Sequence, residues 1–248
     1  SAEQKPDAAA VFIQKAQKHH TKITFVQDLI SSCIFNYTGN SLKNETCLES
    51  LSSNAIKMNI KISSPLFKRP LQAALRLLGK IQMQNAALAS CAVKSILPDI
   101  DEAVIERGLE KAYLPGRFEV VHKNLVLDGA HTVNSIRFTM ETFNMLFKEK
   151  KAHLLCACAA DKDMDDIALL LKNRFTAVTL TRPGSIKQTD MKKLTNAFFK
   201  ADIPFTENED YGSAIKNALK NAEDDNAVLL VTGSFYLVTE VKKILGTL

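Results

Sequence analysis

The 248 residues lack the local signatures that name a reaction on sight: there is no G-x-x-x-x-G-K-[ST] phosphate loop, no G-x-S-x-G elbow and no H-E-x-x-H pair. No apolar run approaches the roughly 18 residues needed to span a bilayer, and no charged-then-apolar leader opens the chain. Neither a membrane nor a secretory route is therefore expected, and the chain reads as cytoplasmic. Cysteine is scarce and unpaired in pattern: Cys33, Cys47, Cys91, Cys156 and Cys158 are an odd count without C-x-x-C spacing. Cys156 and Cys158, at i and i+2 in "HLLCACAA", would share one face of a strand. Buried thiols fit this better than a disulfide or a zinc site, and no metal ligands are expected. Basic residues form no aromatic-interleaved platform, and the densest run is only "KEKK" at 148–151, so no nucleic acid is expected.

What is present is ordinary for a globular chain with a real core: 46% hydrophobic, 24% charged, net charge +5. The length suits two modest domains, and the rhythm changes near Pro115. Before it, helical spacing covers 6–20, "TKITFV" reads as a short strand, and 30–64 reads as irregular β structure with alternation in "IKMNIKI". "LQAALRLLGKIQMQNAALASCAVKSIL" reads as helical with a break at Gly79. "DEAVIERGLEKA" is a helix with Asp101 as N-cap. A mild positive balance is compatible with an anionic substrate such as a nucleotide or polycarboxylate.

After Pro115, apolar runs "NLVLDG", "HLLCACAA", "FTAVTLT" and "NAVLLVTGS" alternate with helical segments near 132–148, 163–172, 189–199 and 212–222. Strands apolar throughout, separated by amphipathic helices, predict a parallel sheet covered on both faces. Their carboxyl ends carry Asp128, then Asp161-Lys162-Asp163, Thr181-Arg182 and Thr232-Gly233-Ser234, which such a fold gathers on one ligand-binding rim. Each also has a plainer reading. Thr132, Asp163 and Ser234 suit helix caps, Gly233 suits a turn, and Asp128 suits a turn-capping carboxylate.

"LPGRFEV", "LDGAHTVNS", "ADKDMDDI" and "VTGSFYLVTEV", in this order, resemble the carboxyl-terminal domain of the folylpolyglutamate synthase/dihydrofolate synthase family of Mur-type ligases. "SAEQ" resembles the segment after that family's lysine-bearing loop, and "LLGKIQMQNAALA" its G-x-H-Q-x-x-N-A-x-x-A helix start. The resemblance implies a Rossmann-like, mostly parallel carboxyl-terminal α/β domain at 115–248, preceded at 1–114 by the incomplete end of an α/β ATPase-type domain. It implies ATP-dependent joining of L-glutamate to folate or dihydropteroate through an acyl phosphate, with ATP and Mg²⁺ as cofactors. Arg117 and His131 are then the catalytic candidates. Asn85, Arg117, Asp128 and His131 would hold the nucleotide, Arg117 at the phosphates and Asp128 at the ribose, and Lys162 and Ser234 would form the substrate rim. Thr132 and Val133 stand where the family has Asn-Pro, and Ile81 where it has His.

On the same resemblance, the glycine-rich loop, the acidic Mg²⁺ ligand and the carbamylated lysine would precede Ser1. The chain begins without methionine, and by itself is expected to be inactive and to form non-native dimers through open sheet edges. Another Mur-type amino-acid ligase and a non-catalytic nucleotide-binding module are the alternative readings.

Overall fold

The computed structural model describes residues 1–38, 56–122 and 124–246. The chain divides into two compact units, one formed by Ser1–Thr38 with Lys57–Tyr113 and the other containing Leu114–Leu248. Cys47 and the rest of 39–55, within the irregular β stretch expected at 30–64, lie outside the described residues.

The first unit opens with α1 (Pro6–Lys18), which has proline at its first turn, Asp7 near its positive end and Lys15 and Lys18 near its negative end. "TKITFV" is not a strand. The Ser1 ammonium donates to the Thr24 carbonyl at 2.8 Å and the Val26 amide donates to the Ser1 carbonyl at 2.8 Å. Val26–Asp28 then closes as a 3₁₀ turn. With the Thr24 carbonyl and the Val26 amide paired to Ser1, the segment joins no ladder.

Three strands follow in antiparallel order, β1 (Ser32–Thr38), β2 (Lys57–Ser63) and β3 (Leu71–Leu75). In β2, Met58, Ile60 and Ile62 are buried while Lys57, Asn59 and Lys61 face solvent, the alternation seen in "IKMNIKI". "LQAAL" is β3 and not helix: Leu71, Ala73 and Leu75 are buried at period two and pair opposite Ile62, Ile60 and Met58. Its alanines and leucines favour helix locally, but the neighbouring strand offers a partner for every second side chain. Gly79 is accordingly no break between two helices. With φ of 108°, it is the N-cap of α2 (Lys80–Ile96).

The next helix, α3 (Glu102–Lys111), begins where Asp101 accepts a hydrogen bond from the Ala103 amide. Glu102, Glu106 and Glu110 share one face at four-residue spacing, and their carboxylates accept from the amides of Lys68, Gln72 and Ala74 at 3.1, 2.7 and 3.2 Å. Glu106 and Glu110 thus satisfy outward-facing amides of β3, which would otherwise template another strand. Replacing both with alanine is expected to raise hydrogen exchange at Gln72 and Ala74 about tenfold, the loss of one hydrogen bond of about 1.4 kcal/mol each. Unchanged protection at both amides would remove this role from α3.

The second unit is α/β. Its elements are β4 (Glu119–His122), β5 (Leu125–Leu127), α4 (Val133–Phe147), β6 (Ala152–Cys156), α5 (Met164–Leu171), β7 (Ala177–Leu180), α6 (Met191–Lys200), β8 (Thr206–Glu207), α7 (Tyr211–Asp224), β9 (Val228–Thr232) and α8 (Phe235–Ile244). The sheet order is β4-β5-β9-β6-β7-β8, parallel except where the edge strand β4 runs against β5. Every residue of β5, β6 and β9 is buried, as expected where helices cover both faces. Leu125, Leu127, Leu155, Leu229 and Val231 pack with Ala214, Ile215 and Ala218 of α7 and with Leu237, Val238 and Val241 of α8. Alternation leaves Val126, Leu154 and Leu230 for the opposite face. Cys156 and Cys158 are fully buried free thiols at the end of β6. Among the described residues, no helix is long and apolar enough to cross a membrane.

Candidate functional site

The strand ends meet through the backbone. The Asp128 amide donates to the Val231 carbonyl at 2.9 Å, Gly233 to Ala130 at 2.8 Å, Ala157 to Thr232 at 3.3 Å and Thr181 to Cys156 at 3.0 Å. The carboxyl ends of β5, β9, β6 and β7 therefore share one rim, where open α/β sheets bind ligands. Gly233 is required at its centre. Its φ is 94°, and a Cβ there would lie 2.4 Å from the Ala157 carbonyl oxygen.

The "PGRF" turn is tied to this rim by the Gly129 amide, which donates to the Gly116 carbonyl at 2.8 Å. Gly116 in turn donates to Glu119 Oε2 at 2.8 Å, and Lys242 Nζ holds Glu119 Oε1 at 2.8 Å. Arg117 lies between two residues with left-handed backbone, Gly116 at φ 71° and Phe118 at φ 41°. For a bulky residue such as Phe118 this conformation is strained, and strain of this kind persists where surrounding contacts over-determine it.

Asp128 is the buried hub beneath these turns, only 7% exposed. Its Oδ1 accepts from the Ala130 amide at 3.1 Å and its Oδ2 from the Thr139 hydroxyl at 2.7 Å. Burial pushes its carboxyl up to about 6, against the opposing pull of Thr139, the Ala130 amide, the Arg117 charge and the Phe118 amide. His131 donates from Nδ1 to the Gly129 carbonyl at 2.8 Å, since a carbonyl oxygen only accepts, which leaves Nε2 for a ligand.

Phe235, the first residue of α8, meets Arg117, His131 and the two glycine turns. The Arg117 guanidinium lies over its ring at 4.5 Å, and the His131 ring meets its edge with centroids 6.1 Å apart. A Cβ on Gly129 would fall 2.3 Å from the same ring. Motif reading passed over Phe235 because an aromatic beside a helix cap reads as core. The signal available in sequence was a ring-bearing residue directly after the glycine-serine turn of the last strand.

The structure therefore brings Arg117, Asp128 and His131 together. Ser234, 5% exposed, adjoins them, but its hydroxyl caps α8 by accepting from the Tyr236 amide at 3.2 Å. Lys162 lies on the loop after β6, where its ammonium pairs with Asp161 at 2.8 Å and its carbonyl accepts from Lys193 Nζ at 2.9 Å. Asn85 belongs to the first unit, exposed on α2, with its amide donating to Gln82 Oε1 at 3.1 Å. Thr132 and Asp163 cap α4 and α5, and Thr132 forms a reciprocal capping box with Ser135. The departure from Asn-Pro at 132–133 is thus a helix start in its own right. Beyond β7 the rim opens into a cleft of about 520 Å³ lined by Arg182, Lys187, Thr189, Glu209 and Tyr211, where Arg182 pairs with Glu209.

Residues 116–235 match the family model described as "Mur ligase, glutamate ligase domain". The chain is 32% identical over 177 residues to a probable bifunctional folylpolyglutamate synthase/dihydropteroate synthase of Haloferax volcanii, covering 69% of this chain and 20% of that protein. It is 25% identical over 244 residues to the dihydrofolate synthase/folylpolyglutamate synthase of Bacillus subtilis, covering 96% of this chain and 52% of that one. In fold it is similar to the Mycobacterium tuberculosis folylpolyglutamate synthase complexed with ADP and AMPPCP, with a TM-score of 0.77 at 19% identity over 98% of this chain and 54% of the other. The chain thus spans about half the length of the Bacillus relative (52%) and a fifth of the Haloferax one (20%).

Proposed function

We propose that this chain, whose residues 116–235 match a glutamate ligase domain, is part of an ATP-dependent Mur-type ligase that adds L-glutamate to folates. Folate or dihydropteroate, ATP and glutamate are the substrates on this reading. A folate carboxylate takes the γ-phosphoryl group of ATP, the glutamate amine attacks the acyl phosphate, and phosphate leaves. The single observation that carries the reading is the joining of Arg117, Asp128 and His131 around one rim: the Arg117 charge acts on the Asp128 carboxyl, and Arg117 and His131 meet the same Phe235 ring.

Such transfer is catalysed mainly by positioning and by neutralising phosphate charge. Arg117 supplies planar paired donors suited to phosphate oxygens. His131 Nε2 offers a donor or acceptor beside it, and Asp128 has lone pairs left for ribose hydroxyls after its internal bonds. Lys162 and Ser234 line the amino-acid side. Mg²⁺ would accompany the nucleotide. Among the described residues no three His, Cys, Asp or Glu side chains meet in a way that could hold a metal ion, and each role above belongs to the chain's own side chains. The protein reads as cytoplasmic on the same proposal.

Calorimetric titration of the purified chain with ATP tests the assignment. Arg117→Ala is expected to raise the dissociation constant about ten- to a hundredfold, the loss of a charge-assisted contact of about 1.5–3 kcal/mol. Binding of equal strength in the variant would remove Arg117 from the nucleotide site.

A further inference from the structure

We propose that Phe235 is a positioning residue, whose ring aims the Arg117 guanidinium and the His131 imidazole at the nucleotide; this rests on the ligase reading above. Three motifs far apart in sequence converge on that one ring: "PGR" through the guanidinium at 4.5 Å, "GAH" through the imidazole edge at 6.1 Å and "GSF" through the ring itself. An arginine side chain is long and freely rotating, and left in water it samples many directions. A cation over an aromatic face is attracted to it, so the ring narrows those directions to the ones that keep the guanidinium flat against it.

The ring is itself held. A Cβ on Gly129 would stand 2.3 Å from it, and a Cβ on Gly116 would stand 3.4 Å from it and 2.9 Å from Val238. The space that these glycines leave is the space that the ring fills. Ser234 caps the helix immediately before it, fixing where the side chain departs from the backbone. His131 is fixed from two directions, by its Nδ1–H to the Gly129 carbonyl and by the ring edge, so that Nε2 has one orientation. Gly129 therefore serves Phe235 as much as its own turn. The ring joins the guanidinium and the imidazole into one preorganised surface, which spares the ordering cost when a ligand arrives.

The test uses Phe235→Leu, which keeps apolar volume without a ring face, Phe235→Tyr, which keeps the face, and both single and combined changes with Arg117→Ala. In proton NMR, the Arg117 side-chain resonances are expected upfield under the ring current in the unaltered chain and in the Tyr variant, and at ordinary positions in the Leu variant. In ATP titration, Phe235→Leu is expected to weaken binding about three- to tenfold, and Phe235→Tyr to restore it. The Phe235→Leu/Arg117→Ala double change should bind almost as well as Arg117→Ala alone, because the ring acts chiefly through the guanidinium. Fully additive losses, or a Leu variant that binds as tightly as the unaltered chain, overturn the proposal. If the unaltered chain binds no ATP, the rim is not a nucleotide site in the isolated chain, and the NMR shift decides the positioning on its own: lost in the Leu variant it stands, retained it falls.

Discussion

Gly233→Ala is expected to cost about 3–5 kcal/mol of folding stability, at the upper end for a single methyl group. Two effects add at this position. The φ of 94° lies in a region that side-chain-bearing residues rarely adopt. The added carbon would also meet the Ala157 carbonyl oxygen at 2.4 Å and the Cys156 sulfur at 3.1 Å. A flexible side chain could yield, but this oxygen is backbone, held where the Ala157 amide donates to Thr232 and where Cys156 pairs opposite Thr232. Relief therefore means parting β6 from β9 at the centre of the sheet. Chemical denaturation of the variant measures the loss, and a change under about 1 kcal/mol would show that the strand ends are not packed as described. Because Ser234 and Phe235 follow directly, ATP binding is expected to fall with it.

Asp128→Ala is expected to strike stability and ATP binding together, and Asp128→Asn to separate them. Alanine leaves the Ala130 amide and the Thr139 hydroxyl without their buried acceptor, a loss of about 2–3 kcal/mol. Asparagine keeps an acceptor for the amide, while Thr139 turns to the Ser135 carbonyl, which it already reaches at 3.0 Å. For ATP, alanine is expected to weaken binding about ten- to a hundredfold and asparagine about fivefold, since only the charge assistance is lost. An Asn variant with unaltered ATP binding, beside a destabilised Ala variant that also binds ATP normally, would make Asp128 a purely structural hub.

The same carboxylate sets a pH dependence. Its folded value of about 6 lies above the ordinary 3.8, so the stability it contributes is fully present below pH 3.8 and is lost as pH rises through about 6. About two units correspond to about 3 kcal/mol. The stability of the unaltered chain minus that of Asp128→Asn should accordingly decline between about pH 4 and pH 7, with other titrating groups cancelling in the difference.

Much of the second unit is legible in sequence because its signals are local and agree with one another. Uninterrupted apolar strands alternate with amphipathic helices, and Thr132, Asp163 and Ser234 stand at helix starts where their side chains cap amides. The first unit is harder, since its strands have helical composition or lack a ladder. "LQAAL" is strand only because β2 lies beside it, and "TKITFV" is no strand because the start of the chain takes its backbone partners. The short strands β4 and β8 carry too few residues for a period to show.

The sequence by itself determined the α/β class of the second unit and the strand ends that carry Asp128, Thr181 and Gly233, because chain rhythm and residue type are local properties, while resemblance to a family singled out Arg117 and His131 as candidates. Only the tertiary structure decided that Asp128 is a buried hub, that Lys162 is held by Asp161, and that Phe235 lies under Arg117 and beside His131. Burial, pairing and ring contact depend on which distant segments share a rim. No spacing along the chain encodes the 4.5 Å between a guanidinium at position 117 and a ring at position 235.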